Sequence, residues 1–363
     1  MNILHLEASP GWGGQEIRIL REAEGMRKRG HEVILGVMRG GALIVRAREA
    51  GFVVYELNFR HSGWFICLLQ LFFILFRHRI ELINTHSSLD SWIGGIAARL
   101  TGRSIVRTRH LSTAIKQGLN SRLVYGKLAD FVVTTCSSII PMICKQSGKS
   151  EEKCRSIATG VDSEKIVVKT GEAEAFRKTL GLSPDDFLIG TACFMRSWKG
   201  IDDFLKAADL LRAHSKIKWV IIGGGHAETY IKRAQEMKLE NIVYFTGHLD
   251  NPFPALKALD IFTLLSTANE GVSQAILQAA FLRKPLVATP IGGLCEVCID
   301  GITGLQVAPF SPDQVAKAIL HLKDQRLFCE QLGNNGYKLV EEKFTLSSML
   351  DQMEEVYRLV SLA

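Results

Sequence analysis

Short apolar runs alternate with longer amphipathic stretches from one end of this 363-residue chain to the other. That alternation predicts an α/β protein with parallel sheets, because strands covered by helices on both faces read as near-continuous apolar runs. In the first half the predicted strands are Ile3–Leu6, Glu32–Val37, Val53–Leu57, Glu81–Asn84, Ile105–Thr108 and Phe131–Thr135. Around Gly160 to Pro184 the pattern loosens into polar, Gly-containing sequence. A second set then begins: Leu188–Cys193, Trp219–Ile222, Ile242–Thr246, Ile261–Leu265 and Leu286–Thr289. The expected domains are 1–165 and 166–345, two doubly wound Rossmann-like units facing across a cleft. The segment 346–363, helix-like over Ser347–Val360, is expected to pack back on the first of them. No internal sequence repeat accompanies the duplication.

One stretch departs from the alternation. Trp64–Phe76 is apolar except for Gln70 and is flanked by Arg60, His61, Arg77, His78 and Arg79. A bilayer span needs about 20 apolar residues, so this segment is too short to cross. It reads either as a helix packed on the N-terminal sheet or as an interfacial helix with basic flanks at lipid headgroups.

Composition narrows the class. Hydrophobic residues at 47% and charged residues at 22% fit a globular protein and exclude a disordered or low-complexity chain. The N-terminus lacks the basic and apolar regions of a secretory signal, so a cytoplasmic protein is expected. Eight scattered cysteines read as reduced thiols, and the lone Cys295-Glu-Val-Cys298 reads as structural rather than as a zinc or redox site. The net charge of +7 suits an anionic ligand or an anionic membrane surface. No nucleic-acid-binding signature accompanies it, and no metal constellation, nucleophile elbow or Walker loop is present.

Candidate chemistry clusters where predicted strands end. Arg196 and Lys199, three apart directly after the first strand of the second half, can together stabilise a leaving diphosphate without a metal. Asn269-Glu270-Gly271-Val272-Ser273 follows an apolar strand and opens the helix Gln274–Leu282. Backbone N–H groups at such a helix start form an anion site, and Gly271 permits close approach. If the stretch is near-helical, Glu270 and Gln278 lie about 12 Å apart, enough to span a sugar at one end and a ribose at the other. Gly13-Gly14, in Gly11-Trp-Gly13-Gly14, follows the first strand and precedes a helix. Gly223 and Gly225 follow one later strand, and Gly292 and Gly293 another, although a tight turn needs glycine whatever binds. His110, after the strand Ile105–Thr108, can bind a sugar hydroxyl or assist proton transfer. His86 and Asp90 are candidates of the same kind with weaker support.

At these residues the chain resembles the glycosyltransferase family 4 enzymes of GT-B fold over nearly its whole length. The resemblance rests on an ordered set: Asp260-Ile-Phe-Thr-Leu-Leu-Ser266, Glu270-Gly-Val-Ser273, Lys284 to Glu296 and Asp300-Gly-Ile-Thr-Gly304. Arg196-x-x-Lys199-Gly200 resembles the family's diphosphate clamp, Gly13-Gly14 its first glycine loop, and Gly160-Val-Asp162 the turn closing its N-terminal domain. Ile105–His110 resembles the strand and loop carrying its active-site histidine. The resemblance implies retaining transfer from a UDP- or GDP-sugar to a glycan or lipid-linked acceptor, with no further cofactor or metal. It makes 1–165 the acceptor-side domain and 166–345 the donor domain, with His110 and Glu270 at the reacting centre. Gly271, Val272 and Ser273 would then hold the diphosphate with Arg196 and Lys199. The expected setting is surface polysaccharide or lipopolysaccharide synthesis, on the cytoplasmic side of a membrane.

One position leaves the pattern. The family's second glutamate, which usually accepts hydrogen bonds from the ribose, is Gln278 here. An amide keeps one acceptor oxygen and loses the charge, so weaker nucleotide binding is expected. Two other classes fit the same scaffold: a nucleotide-sugar epimerase, which would turn over donor without an acceptor, and a non-catalytic subunit that binds no nucleotide sugar.

Overall fold

Seven apolar runs of the first half form one parallel sheet in a computed structural model, which describes residues 1–110 and 112–362. The strands are β1 (Asn2–Glu7), β2 (Glu32–Met38), β3 (Val53–Leu57), β4 (Leu82–Thr85), β5 (Ser104–Arg109), β6 (Phe131–Thr134) and β7 (Cys154–Ser156), in the order β3-β2-β1-β4-β5-β6-β7. Six more form a second parallel sheet: β8 (Phe187–Ala192), β9 (Ile217–Ile222), β10 (Val243–Gly247), β11 (Ile261–Leu264), β12 (Leu286–Ala288) and β13 (Gly304–Gln306), in the order β10-β9-β8-β11-β12-β13. Each order runs outward from its first strand and then reverses, as in a doubly wound nucleotide-binding fold. The two compact units are Met1–Thr159 with Ser347–Ala363, and Gly160–Leu346. Of the expected C-terminal segment, Ala363 lies outside the described residues.

The reversal matters for function. Helices leave a central strand toward opposite faces at that point, so the loops after the two central strands separate and open a crevice at their carboxyl ends. In the N-terminal unit the reversal lies between β1 and β4, which pair from Ile3↔Leu82 to Leu6↔Thr85. In the C-terminal unit it lies between β8 and β11, paired through Ile261↔Ile189 and Phe262↔Gly190.

The segment Trp64–Arg77 is a helix with two unlike faces. Cys67, Leu71, Ile74 and Leu75 are fully buried in the core formed with Leu4, Leu6 and Ile83 of the sheet. On the outer face Phe65, Ile66, Leu69, Phe73 and Phe76 stand exposed, Phe65 at 76%. Sheet packing therefore accounts for one stripe of the helix and leaves an apolar stripe on the other side. Among the described residues no helix is long and apolar enough to cross a membrane. The last helix, Leu346–Ser361, buries Met349, Met353, Val356, Tyr357 and Val360 at helical spacing. Arg29 pairs with its Asp351 at 2.7 Å and with its Glu354 at 3.0 Å, tying it to the N-terminal unit.

Candidate active site

In the C-terminal unit the loop after β8 carries Arg196 and Lys199, and the loop after β11 carries Ser266 and Glu270. The two loops meet across the strand-order reversal, where the Trp198 carbonyl accepts from the Thr267 N–H at 2.8 Å. Gly200 makes this approach possible. Its φ is +68°, and a Cβ there would lie 1.9 Å from the Leu265 carbonyl oxygen. Lys199 Nζ then reaches Glu270 Oε1 at 2.5 Å, with the side chains 17% and 6% exposed. Ser266 Oγ donates to the same oxygen at 2.6 Å, and the Thr289 hydroxyl donates to the Ser266 carbonyl at 2.5 Å. Glu270 is thereby fixed by a cation and a hydroxyl on one oxygen.

Arg196 is not part of that cluster. It is exposed, with its guanidinium 5.2 Å from the ring centres of both Phe194 and Trp198. Together with His226 and Tyr230 these residues line an open depression of about 520 Å³. The two cations predicted to act together thus hold different partners, one a carboxylate and one a pair of aromatic faces. Asn269, at φ +61°, turns the chain into Glu270, and Ser273 is still extended at ψ 136°. The helix runs over Gln274–Phe281 only. The spacing of Glu270 and Gln278 is therefore set by the turn, and the helical rise behind the 12 Å expectation does not apply. Gln278 is half-buried on that helix.

The later glycines have packing reasons of their own. A Cβ on Gly223 would meet the Cys193 carbonyl oxygen at 2.1 Å, and one on Gly225 the Met195 carbonyl oxygen at 2.6 Å. One on Gly293 would meet Val272 N at 2.5 Å, beside the Gly293 N–H that donates to the Glu270 carbonyl at 3.2 Å. Gly292 lies at φ +57° in the same turn. Gly13 and Gly14 differ. A Cβ on Gly13 would meet nothing closer than 3.6 Å, and one on Gly14 nothing within 4 Å. The chain itself makes no demand for glycine there.

Beside that glycine turn, β1 ends in a buried carboxyl group. Glu7 accepts from the Ser9 N–H at 2.6 Å, the Gln15 amide at 2.5 Å and the Ser87 hydroxyl at 2.5 Å. Burial pushes its pKa up to about 8, with the nearby Asp90 charge adding to the effect. Asp90 accepts from the backbone N–H of Ser87 at 2.9 Å and of His86 at 3.1 Å, completing a capping box at the helix Ser88–Thr101. Burial raises it to about 6 against those hydrogen bonds. The capping role accounts for Asp90 and gives it no free oxygen for chemistry.

His110 ends β5 in a line of imidazoles. His5 Nδ1 lies 2.9 Å from His86 Nε2, and His86 Nδ1 lies 3.0 Å from His110 Nε2. His5 and His86 are buried and stacked at an interplanar angle of 7°, whereas His110 is half-buried at the end of the line. Burial depresses all three pKa values, and Arg18 and Arg107 depress those of His86 and His110 further. Glu22, whose charge acts on His5, accepts from the Tyr357 hydroxyl and, at 3.3 Å, from the Asn84 amide.

His110, His86, Lys199 and Glu270, singled out in the sequence, lie in these clusters. Ser266, Glu7, His5 and Glu22, which join them there, were not singled out. The first strand did carry a signal: in Asn-Ile-Leu-His-Leu-Glu, His5 and Glu7 stand two apart on one face of a strand otherwise built for burial. A polar pair in that position needs partners, and partners at a strand's carboxyl end mark a site.

Comparison with known proteins bears on the family and the fold. The family model of group 1 glycosyl transferases matches residues 172–339, and that of glycosyltransferase family 4 matches residues 12–165. The chain is 26% identical over 313 residues to the uncharacterized glycosyltransferase MJ1069 of Methanocaldococcus jannaschii, covering 80% of this chain and 79% of that one. It is 25% identical over 304 residues to the Escherichia coli UDP-Gal:alpha-D-GlcNAc-diphosphoundecaprenol alpha-1,3-galactosyltransferase, covering 80% and 78%. Its fold matches the crystal structure of Anabaena Alr3699/HepE in complex with UDP at a TM-score of 0.88, with 21% identity over 99% of this chain and 100% of that one. With both halves matched in order, and with two parallel-sheet Rossmann-like domains like those of GT-B structures, the chain belongs to the group 1, family 4 glycosyltransferases.

Proposed function

We propose that this protein transfers a glycosyl group, with retention of configuration, from a UDP- or GDP-sugar to a glycan or lipid-linked acceptor. The observation that carries this reading is the Lys199–Glu270–Ser266 cluster at the strand-order reversal of the C-terminal unit. Lys199 and the N–H groups of Gly271, Val272 and Ser273 form a positive surface for the donor diphosphate, and Arg196 is free to close on it from the exposed loop. Glu270, held on one oxygen, meets the donor sugar, and Gln278 meets the ribose. Gly13 and Gly14, where nothing in the chain excludes a side chain, leave room for phosphate to approach the backbone. His110 faces the reacting sugar and the N-terminal unit takes the acceptor. The HepE structure holds UDP, and the E. coli relative is a transferase acting on a diphosphoundecaprenol-linked sugar, both in keeping with a nucleotide-linked donor and a lipid-linked acceptor. The setting would be polysaccharide or lipopolysaccharide synthesis.

The test is incubation with UDP- and GDP-sugars and lipid-linked acceptors, with the anomeric configuration of the product read by NMR. An α-linked product from an α-linked donor is expected. A β-linked product refutes retention, and an isomerised UDP-sugar formed without any acceptor favours an epimerase. The exposed Phe65, Ile66, Leu69, Phe73 and Phe76, beside Arg60, His61 and Arg77, support peripheral contact with the inner face of the cytoplasmic membrane. The protein should float with anionic vesicles, and a Phe65→Asp/Phe73→Asp variant should not. Equal flotation of the two proteins contradicts the contact.

A further inference from the structure

The line of three imidazoles restricts which nitrogen of His110 carries its proton. Each contact, His5 to His86 and His86 to His110, joins two ring nitrogens and so needs one proton between them. Burial favours the neutral form of all three rings, Arg18 and Arg107 add to that at His86 and His110, and Glu22 opposes it at His5. A neutral His86 donates from one nitrogen and accepts at the other, so both contacts must point the same way. Only two polarities remain. With the N–H groups directed outward, His110 presents an N–H at Nδ1. With them directed inward, it presents a bare lone pair there.

The inner end of the line distinguishes them. His5 Nε2 and Glu22 Oε2 are both buried without a hydrogen-bond partner. Glu22 is the negative charge acting on the His5 ring, and its Oε2 lies 3.8 Å from Arg18 Nε. Inward polarity places an N–H on His5 Nε2 within the field of that carboxylate, while outward polarity leaves a lone pair in the same field. The outer rings feel the opposite sign, from Arg18 and Arg107. The inner end therefore favours the inward arrangement. Among the described residues His110 Nδ1 has no hydrogen-bond partner.

We propose that Glu22, acting through the positioning residues His5 and His86, holds His110 in the Nε2–H tautomer, so that its bare Nδ1 accepts a hydrogen bond from a substrate hydroxyl. The identity of that hydroxyl rests on the transferase reading above; the tautomer does not. The full chain labelled with [15N]histidine tests it, because protonated and bare ring nitrogens differ in shift. For His110 a protonated Nε2 and bare Nδ1 are expected, unchanged from about pH 6 to about pH 8. In His5→Leu, His86 Nε2 loses its acceptor, and a buried N–H is worse left unpaired than a lone pair. The line should then reverse and put the proton on His110 Nδ1. Glu22→Gln, which removes the charge and keeps the shape, should shift the same equilibrium and keeps the test open if His5→Leu fails to fold. A protonated Nδ1 in the unaltered protein, or an unchanged tautomer in the folded variants, overturns the proposal. In turnover, the reversed tautomer should lower kcat about tenfold, the worth of one hydrogen bond, with donor KM nearly unchanged. Should the unaltered protein transfer no sugar, the transferase reading fails and the nitrogen shifts still decide the tautomer.

Discussion

Removing the Lys199 ammonium should expose how far the donor unit depends on its central ion pair. Lys199→Met keeps the length and apolar stem of the side chain but leaves Glu270, 6% exposed, with only the Ser266 hydroxyl on Oε1. Breaking a buried pair by deleting one partner costs about 3–5 kcal/mol. The retained Ser266 bond and the partial exposure of Lys199 reduce that to about 2–3 kcal/mol. Glu270→Gln strands the better-solvated partner and should cost less, about 1–2 kcal/mol. The double variant Lys199→Met/Glu270→Gln leaves no charge unpaired, so it should be no less stable than Lys199→Met alone. The coupling energy should then be at least about 1 kcal/mol. Urea unfolding of the four proteins, followed at the transition of the C-terminal unit, gives the cycle directly. Additive single effects, or single effects both below about 0.5 kcal/mol, would refute the claim that the pair is buried and coupled. The same pair makes a second statement. A diphosphate must compete with Glu270 for Lys199, so Glu270→Gln should bind UDP at least as tightly as the unaltered protein while losing most transfer activity.

Three further outcomes follow from single positions. Gln278→Glu restores a charged acceptor and should tighten nucleotide binding about tenfold in calorimetry, since charge-assisted bonds are roughly twice as strong as neutral ones; an unchanged affinity removes Gln278 from the ribose site. Gly14→Ala should leave stability unchanged or raise it by up to about 1 kcal/mol, because the helix gains a better former and the space is open, yet should raise donor KM. A normal KM would mean that phosphate does not approach this turn. Glu7, pushed up to about 8 from an ordinary 4.5, keeps a proton in the folded protein that the unfolded chain has already lost. Its contribution therefore favours folding near the lower value and is lost as pH rises toward about 8. Glu7→Gln should flatten that decline in urea midpoints measured across the range, and an identical decline in both proteins would contradict it.

The fold was legible in the sequence because every central strand is an apolar run bounded by turn residues. The edge strands Cys154–Ser156 and Gly304–Gln306 were not, since three residues carry too little periodicity to stand out from a loop. Lys199 and Glu270 could be chosen from their positions at strand ends. Their mutual contact could not, because it depends on Gly200 letting one loop pass against Leu265. The turn before Gln274 was hidden for a related reason: the left-handed Asn269 and extended Ser273 interrupt a stretch whose composition reads as helix. His5 and Glu22 stayed invisible because a buried polar network is defined by partners far apart in sequence. Tyr357 closes it from the last helix.

On the proposed reading, Arg196 and Lys199 of the C-terminal unit grip a nucleotide-linked donor. A thermal-shift screen of the full chain against UDP, GDP and their sugars tests it most directly, because a ligand that binds only the folded state raises Tm. One nucleotide class should raise Tm in the unaltered protein, and the shift should vanish in both Arg196→Ala and Lys199→Ala, each compared with its own ligand-free Tm. No shift with any nucleotide sugar, or an undiminished shift in both variants, would mean that these two cations do not hold the donor.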